Sequence, residues 1–348
     1  MRSDDLGLKM KSSIDQIKTI DVHAHIVLSE SMHMAGHHGP EIGYDENGSP
    51  WFRIGEYYLR NVRYENSVFM DTSLRLEAMD KAGIDFQVLS PNPLTYFHYI
   101  EAKNAINFCR QHNDALIKQL NYCPERLAGL AAVPIQDIVA ACEELERAVS
   151  ELGLLGAYIG TDFGRPLDSP ELDIFYEKLV KLNVPLFIHP APSGIDGPKG
   201  DPNLNQYELE LLTGFAAQET LAVATLIYGG VLERHPELDI CISHAGGAAA
   251  MLIGRLNAAT RLRPWVSEHL QKDGAFESYL AEIWFDAHVQ DQRVLDFVVS
   301  VFGTDHLVLG TNFGGWDQHG VQGSEKWLNK LGDNAKRLLR FSEHIGFN

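Results

Sequence analysis

Short apolar runs recur along this chain, separated by longer stretches with apolar residues at three- and four-residue spacing. The short runs read as strands: Thr19–His23, Phe86–Ser90, Leu127–Val133, Leu155–Ile159, Pro185–His189, Asp239–Ser243, Ile283–Asp286 and Leu307–Gly310. The stretches between them read as helices: Thr72–Ala82, Ala102–Tyr122, Asp137–Leu152, Ser169–Leu182, Ala216–Glu233, Ala245–Leu256 and Arg293–Phe302, with a last one at Asn334–Phe341. Asp137 and Ser169 stand where N-caps belong, and Gly153 and Gly229 where helices stop. Eight strands, each followed by a helix, predict an α/β chain folded as a (β/α)8 TIM barrel, because parallel neighbours need crossover helices. A doubly wound open sheet is the competing architecture, but no G-x-G-x-x-G follows the first strand. The expected organisation is one domain over residues 1–348, with two insertions. One covers 27–70 and is rich in His, Gly and aromatic residues; the other, Ala191–Thr213, is rich in Gly and Pro. Both follow strands ending in histidine, which puts them over the catalytic face as lids or substrate walls.

The candidate chemistry sits at the strand ends. His23 and His25 are two apart on the first strand, so both imidazoles face one spot. Two further strands end in His189 and His244, and Asn312 follows the eighth. In a barrel these positions converge on one mouth. Converging imidazoles are a divalent-metal site in the making; the plainer alternative is buried histidines satisfied by backbone.

Composition narrows the partners. A net charge of −18 excludes nucleic acid and anionic membrane surface, and it requires a local basic pocket for any acidic substrate. Cys109, Cys123, Cys142 and Cys241 have neither metal-type spacing nor the density of a disulfide framework. The polar Met1–Lys18 segment lacks the apolar core of a signal peptide, and no stretch reads as apolar for long enough to cross a bilayer. A cytoplasmic protein is expected. Asn47-Gly48-Ser49 is then a turn, and Asp162-Phe163-Gly164 lacks the companion motifs of a kinase.

Several ordered segments resemble the amidohydrolase superfamily, within it the branch of amino-carboxymuconate-semialdehyde and γ-resorcylate decarboxylases. They are Ile20-Asp21-Val22-His23-Ala24-His25, Leu76-Glu77-Ala78-Met79-Asp80, Pro124-Glu125-Arg126-Leu127-Ala128-Gly129-Leu130 and Phe187-Ile188-His189-Pro190. Gly230-Val231-Leu232-Glu233-Arg234-His235-Pro236, Ser243-His244-Ala245-Gly246-Gly247, Trp284-Phe285-Asp286 and Val308-Leu309-Gly310-Thr311-Asn312 continue the set. The resemblance implies His23, His25 and His189 as ligands of Zn²⁺, or alternatively Mn²⁺, with no organic cofactor. It implies His244 as the acid/base group. Arg255, eleven residues after His244, matches an arginine that enters a neighbouring subunit's site, which implies a homodimer. Arg63 matches a carboxylate-binding arginine on the first insertion, with Arg60 as the fallback. The implied reaction is metal-dependent, non-oxidative decarboxylation of an aromatic or unsaturated cyclic acid. A hydrolase or hydratase of a ring-derived lactone, amide or unsaturated diacid is the alternative, and a catalytically dead binding protein is a third.

The chain departs from that pattern at Asn312, where the family places a metal-binding aspartate. Asparagine is neutral and cannot act as a base. Three readings follow: an Asp→Asn change made to trap substrate, a metal site that tolerates Asn312 with Asp286 or Asp317 nearby, or loss of metal as in metal-independent lactonases. A neutral residue there harms a hydrolase, which must deprotonate water, more than a decarboxylase. Trp316, Phe313 and the Tyr96-Phe97 pair are candidate walls for an aromatic substrate. His33, His37 and His38 read as a solvated lid rather than a second metal site, and His288 as a rim residue.

Overall fold

The computed structural model describes residues 16–321 and 326–344; residues 1–15 of the polar N-terminal segment lie outside them. All eight expected strands form. β1 (Ile20–Ile26) is followed by an inserted antiparallel sheet of β2 (Glu41–Tyr44), β3 (Pro50–Ile54) and β4 (Tyr57–Arg60). Then come β5 (Phe86–Pro91), β6 (Leu127–Gly129), β7 (Ala131–Ala132), β8 (Ala157–Gly160), β9 (Leu186–His189), β10 (Ile240–Ile242), β11 (Trp284–Asp286) and β12 (Leu307–Val308). The third expected strand is split at Leu130: β6 pairs with β5, and β7 pairs with β8. The staggered strands of a barrel hand a short segment from one neighbour to the next in this way. The run β1-β5-β6 and the run β7 to β12 are both parallel and in chain order. The last seam, β12 to β1, is held by Val22 N–H donating to Leu309 O at 2.9 Å and by single bridges Asp21–Leu309 and Ala24–Phe313.

The helices are α1 (Thr72–Ala82), α2 (Ala102–Leu120), α3 (Ile138–Ser150), α4 (Asp173–Leu182), α5 (Phe215–Tyr228), α6 (Val231–Arg234), α7 (Ala249–Leu262), α8 (Ala275–Leu280), α9 (Gln292–Phe302), α10 (Leu328–Leu338) and α11 (Phe341–His344). Asp137 caps α3 through its side chain. Ser169 makes no such bond, because a 3₁₀ turn, Pro170–Leu172, precedes α4. The helix expected at Ala216–Glu233 starts earlier, in a π-helical turn at Glu210–Gly214, and breaks where Gly230 turns left-handed at φ 69°. Together Glu210–Tyr228 is 19 residues of mean hydropathy 1.3, so one stretch does reach spanning length, against expectation. Within it the Glu219 carboxylate is buried and accepts from Ser243 Oγ at the end of β10. The helix expected from Ala245 begins only at Ala249, for a reason that lies in the site.

β1 decides where the first two histidines point. Ile20, Val22, Phe86, Val88, Phe187, Cys241, Trp284 and Val308 pack into one apolar floor inside the ring, closed from below by Leu338 and Phe341. With a period of two, His189, Ser243 and Asp286 then stand on the floor side one layer higher. A regular β1 would send His23 and His25 outward, since Ile20 and Val22 already face in. The pairing of β1 with β5 shifts register between Asp21 and Ala24. Such an irregularity re-aims every later side chain; Ala24 and Ile26 accordingly join the core shared with the helices.

Candidate active site

Above the floor five imidazoles crowd together. The His23 ring lies 5.1 Å from His25, 4.9 Å from His189, 4.9 Å from His244 and 5.4 Å from His288, centroid to centroid. His189 is 4.9 Å from both His25 and His244. Each ring has one nitrogen tied down. His23 Nδ1 bonds Asp286 Oδ2 at 2.8 Å, His25 Nδ1 bonds Ser90 Oγ at 3.0 Å, His189 Nδ1 donates to Pro190 O at 2.6 Å, and His244 Nδ1 bonds Glu219 Oε1 at 2.6 Å. His288 Nε2 bonds Asp317 Oδ2 at 3.2 Å.

Nε2 of His23 and of His189 are buried with no hydrogen-bond partner among the described residues. A buried nitrogen left unpaired costs about 1–3 kcal/mol, so two beside each other in a cluster of anchored rings fit a cation. Imidazoles fixed through their second nitrogen are the usual dress of a metal ligand. The tightest set of ligand atoms, all within 4.8 Å, is His23, His189 and His244 rather than His23, His25 and His189. Distance alone therefore favours His244 over His25, whereas protonation favours the reverse. Burial works against a charged His244, yet the Glu219 carboxylate outweighs it and lifts that imidazole to about 9, so it holds two protons and has no lone pair to give. Burial lowers His23 to about 4, against the pull of Asp286, and takes His25 and His189 well below their usual range. By protonation, the imidazoles that keep a lone pair free are those of His23, His25 and His189, while His244 carries the extra proton.

His244 reaches this position through strained backbone. His244 (φ 46°), Ala245 (φ 54°), Gly246 (φ 69°) and Gly247 (φ 64°) are all left-handed, which delays α7 to Ala249 and turns the ring onto Glu219. Strain of this kind concentrates at functional sites. Beneath, Asp21 accepts from Gln87 Nε2 at 2.9 Å and Thr311 Oγ1 at 2.7 Å, and burial raises its carboxyl to about 6. Arg75, buried, donates to Gln87 Oε1 at 2.6 Å and to His25 O at 2.7 Å. These bonds lock β1 to its neighbours directly under the histidines.

The other expected residues fall unevenly. Asn312 sits at the strand-8 corner, its Nδ2 donating to Asp317 Oδ1. Phe313 is buried at 1% exposure under the Arg75 guanidinium, so it is core and not a substrate wall. Trp316 is 69% exposed and walls nothing within this protomer. Arg63, Arg60 and Arg255 are exposed, and none of them makes an ion pair among the described residues. His288 is buried within the cluster, not at the rim. His33 and His38 pair with Glu41 and Glu101, as a solvated lid would.

Sequence reasoning missed Glu219, Arg75, Phe215 and Tyr158. Half-buried Phe215 lies 5.9 Å from the His189 ring and 6.3 Å from His244, beside the cluster, while Tyr158, 6.0 Å from His189, is buried in the apolar floor. A signal for Glu219 did exist. It is the one charged residue in the apolar run Phe215–Tyr228, and a lone carboxylate there needs a buried partner.

A parallel α/β ring whose strand ends carry anchored, inward-facing histidines defines a TIM-barrel enzyme built to hold a divalent metal. The amidohydrolase family profile matches residues 20–341, and the chain belongs to that family. It is 32% identical over 70% of its length to 2-amino-3-carboxymuconate-6-semialdehyde decarboxylase of Dictyostelium discoideum, an alignment covering 66% of that protein, just under two thirds. It is 28% identical to gamma-resorcylate decarboxylase of a Rhizobium species, over 86% of this chain and 95% of that one. Its fold matches a dihydroxybenzoic acid decarboxylase from a Polaromonas species, solved with bound manganese and 2-nitroresorcinol, with a TM-score of 0.71 at 20% identity over 94% of this chain and 99% of the other.

Proposed function

We propose that this protein is a metal-dependent, non-oxidative decarboxylase of an aromatic or unsaturated cyclic carboxylic acid. The observation that carries the reading is geometric: four imidazoles, each anchored through Nδ1, crowd together with Nε2 of His23 and His189 unpaired among the described residues, and His244 is anchored on the buried Glu219 carboxylate. His23, His25 and His189 would hold a divalent ion, Mn²⁺ or Zn²⁺; the manganese of the Polaromonas enzyme favours the former. When bound, such an ion polarises an oxygen of the substrate and fixes its orientation. Phe215 flanks the site and would help exclude water from a flat ring. With Nδ1–H held by Glu219, His244 presents its second proton at Nε2 toward the centre. As the carbon–carbon bond breaks and CO₂ leaves, the electron pair stays on the ring carbon and takes that proton. His244 is left neutral, with its Nδ1–H still on Glu219.

A clamp for the substrate carboxylate is absent from the immediate histidine cluster of one protomer. Arg63 on the insertion and Arg255 on the outer face of α7 are the arginines that would supply it, Arg255 by crossing into a second copy of the chain. Exposed Met251 (74%) and Leu262 (76%) on the same helix favour a covered face there. A cytoplasmic location is part of the same proposal. The test is CO₂ release from a panel of hydroxybenzoates by the protein loaded with Mn²⁺ or Zn²⁺. Release from at least one ortho-hydroxy acid is expected. Water addition to muconate-like acids, with no CO₂ from any of the panel, would replace this reading with a hydratase.

A further inference from the structure

Four imidazoles at the mouth of the barrel are each anchored through Nδ1: His23 by Asp286, His25 by Ser90, His189 by the Pro190 carbonyl and His244 by Glu219. Asn312 follows the same plan. Its Nδ2 donates to Asp317 Oδ1, while Asp317 Oδ2 accepts from His288 Nε2 at 3.2 Å and from Gln290 Nε2 at 3.0 Å. A carboxylate can only accept, so the amide must turn its NH₂ toward Asp317 and its carbonyl oxygen away. The backbone at this point is fixed on both sides. Thr311 Oγ1 donates to Asp21 at 2.7 Å, Phe313 N–H donates to His23 O at 3.0 Å, and Asn312 itself is left-handed at φ 48°, a conformation asparagine tolerates better than most residues. The backbone bond from Phe313 therefore ties this segment to His23, and Asp317 decides the rotation of the Asn312 side chain. Asp317 spans two strand ends, since His288 follows β11 and contacts the rings of both His23 and His244.

We propose that Asp317 is the displaced acidic group of β12, the eighth strand of the barrel. The negative charge that an aspartate at position 312 would bring to the cation is supplied from five residues further on, through the Asn312 amide. Hydrogen bonding to a carboxylate increases the electron density on an amide carbonyl, as Asp286 does for the imidazole of His23. Asn312 then serves as a neutral oxygen donor with an anionic backing, and the total charge of the site is kept while its distribution changes. This rests on the metal reading above. Asp317 is a positioning residue, acting on the cation through Asn312 and on His288 directly.

The experiment is metal affinity, measured by chelator competition with Mn²⁺ and with Zn²⁺ alone, on the full chain and three variants: Asp317→Asn, Asn312→Asp and the two together. Melting of the metal-free proteins is followed in parallel. Asp317→Asn is expected to weaken affinity about 10–100-fold, the usual cost of removing an outer partner of a ligand, with little change in metal-free Tm. The double variant, which returns the carboxylate to position 312, is expected to recover most of that loss. A merely structural clasp between the two strand ends predicts the opposite: a lower metal-free Tm, unchanged affinity and no rescue. Wild-type affinity retained in Asp317→Asn, or no recovery in the double variant, overturns the proposal alone. A wild-type chain that takes up neither ion overturns the metal reading and this proposal with it.

Discussion

At the scale of single residues the site runs on two histidine–carboxylate pairs with opposite outcomes. Asp286 is held down to about 2 by His23 despite its burial, and His23 stays neutral because its own desolvation exceeds that attraction. Glu219 does the reverse for His244, so one pair presents a lone pair and the other a proton. His244→Ala should abolish turnover and leave metal content as in wild type; loss of metal in that variant would make His244 a ligand and undo its assignment. Glu219→Gln keeps the hydrogen-bonding shape but removes the charge that opposes burial, so His244 falls from about 9 toward the neutral form. Activity at pH 7 should drop on the order of 10²-fold, the lower range for a lost general acid. The remaining rate should climb as pH is lowered. A pH–rate profile that merely scales down would contradict this.

At the scale of elements, function is written into irregularities. The register shift in β1 aims two histidines inward, and the left-handed run 244–247 aims a third. Gly247 is the tightest point of that run: a Cβ there would come within 2.2 Å of Ala216 O, at the start of α5, and φ is 64°. Gly247→Ala should destabilise by about 1–3 kcal/mol from backbone strain alone, with the collision added. It should also separate His244 from Glu219, since both elements must move apart. Thermal melting and activity together check this; a variant with wild-type Tm and rate would mean the loop and α5 are looser than their packing implies.

At the scale of the whole molecule, acid sensitivity follows from buried histidines outside the catalytic cluster. His98 and His112 are buried, and desolvation lowers each to about 4. An unfolded chain protonates them near 6.5, so below that pH it binds protons the folded chain refuses. Their contribution is complete above about 6.5 and is lost progressively as pH falls toward 4. Tm should therefore decline steeply between pH 6.5 and 4.5. His112 has no partner on either ring nitrogen among the described residues, so His112→Leu should make that decline shallower without loss of stability at pH 7.5. Assembly is the other molecular property at issue. Sedimentation is expected to give a dimer, and Arg255→Ala to raise KM for the acid substrate while leaving the metal in place; a monomer with full activity would remove Arg255 from the site.

The sequence by itself determined the barrel and the positions of the histidines that cluster at its mouth. Strand and helix periodicity is a local property, and the histidines at 23, 25, 189 and 244 end their strands in plain view. It also marked Asn312 as the odd residue of the site. Tertiary structure alone decided which way those residues face and what state they are in. The inward aim of His23 and His25 depends on a register shift against β5 that no alternation within β1 discloses. The charge on His244 depends on Glu219, twenty-five residues away on another element, and the setting of Asn312 depends on Asp317 and His288 closing over it. Phe313 and Phe215 are both aromatic residues near strand ends, yet only packing sends one into the core and the other to the wall of the site. Direction and protonation arise from contacts between segments, and in this chain those contacts make the chemistry.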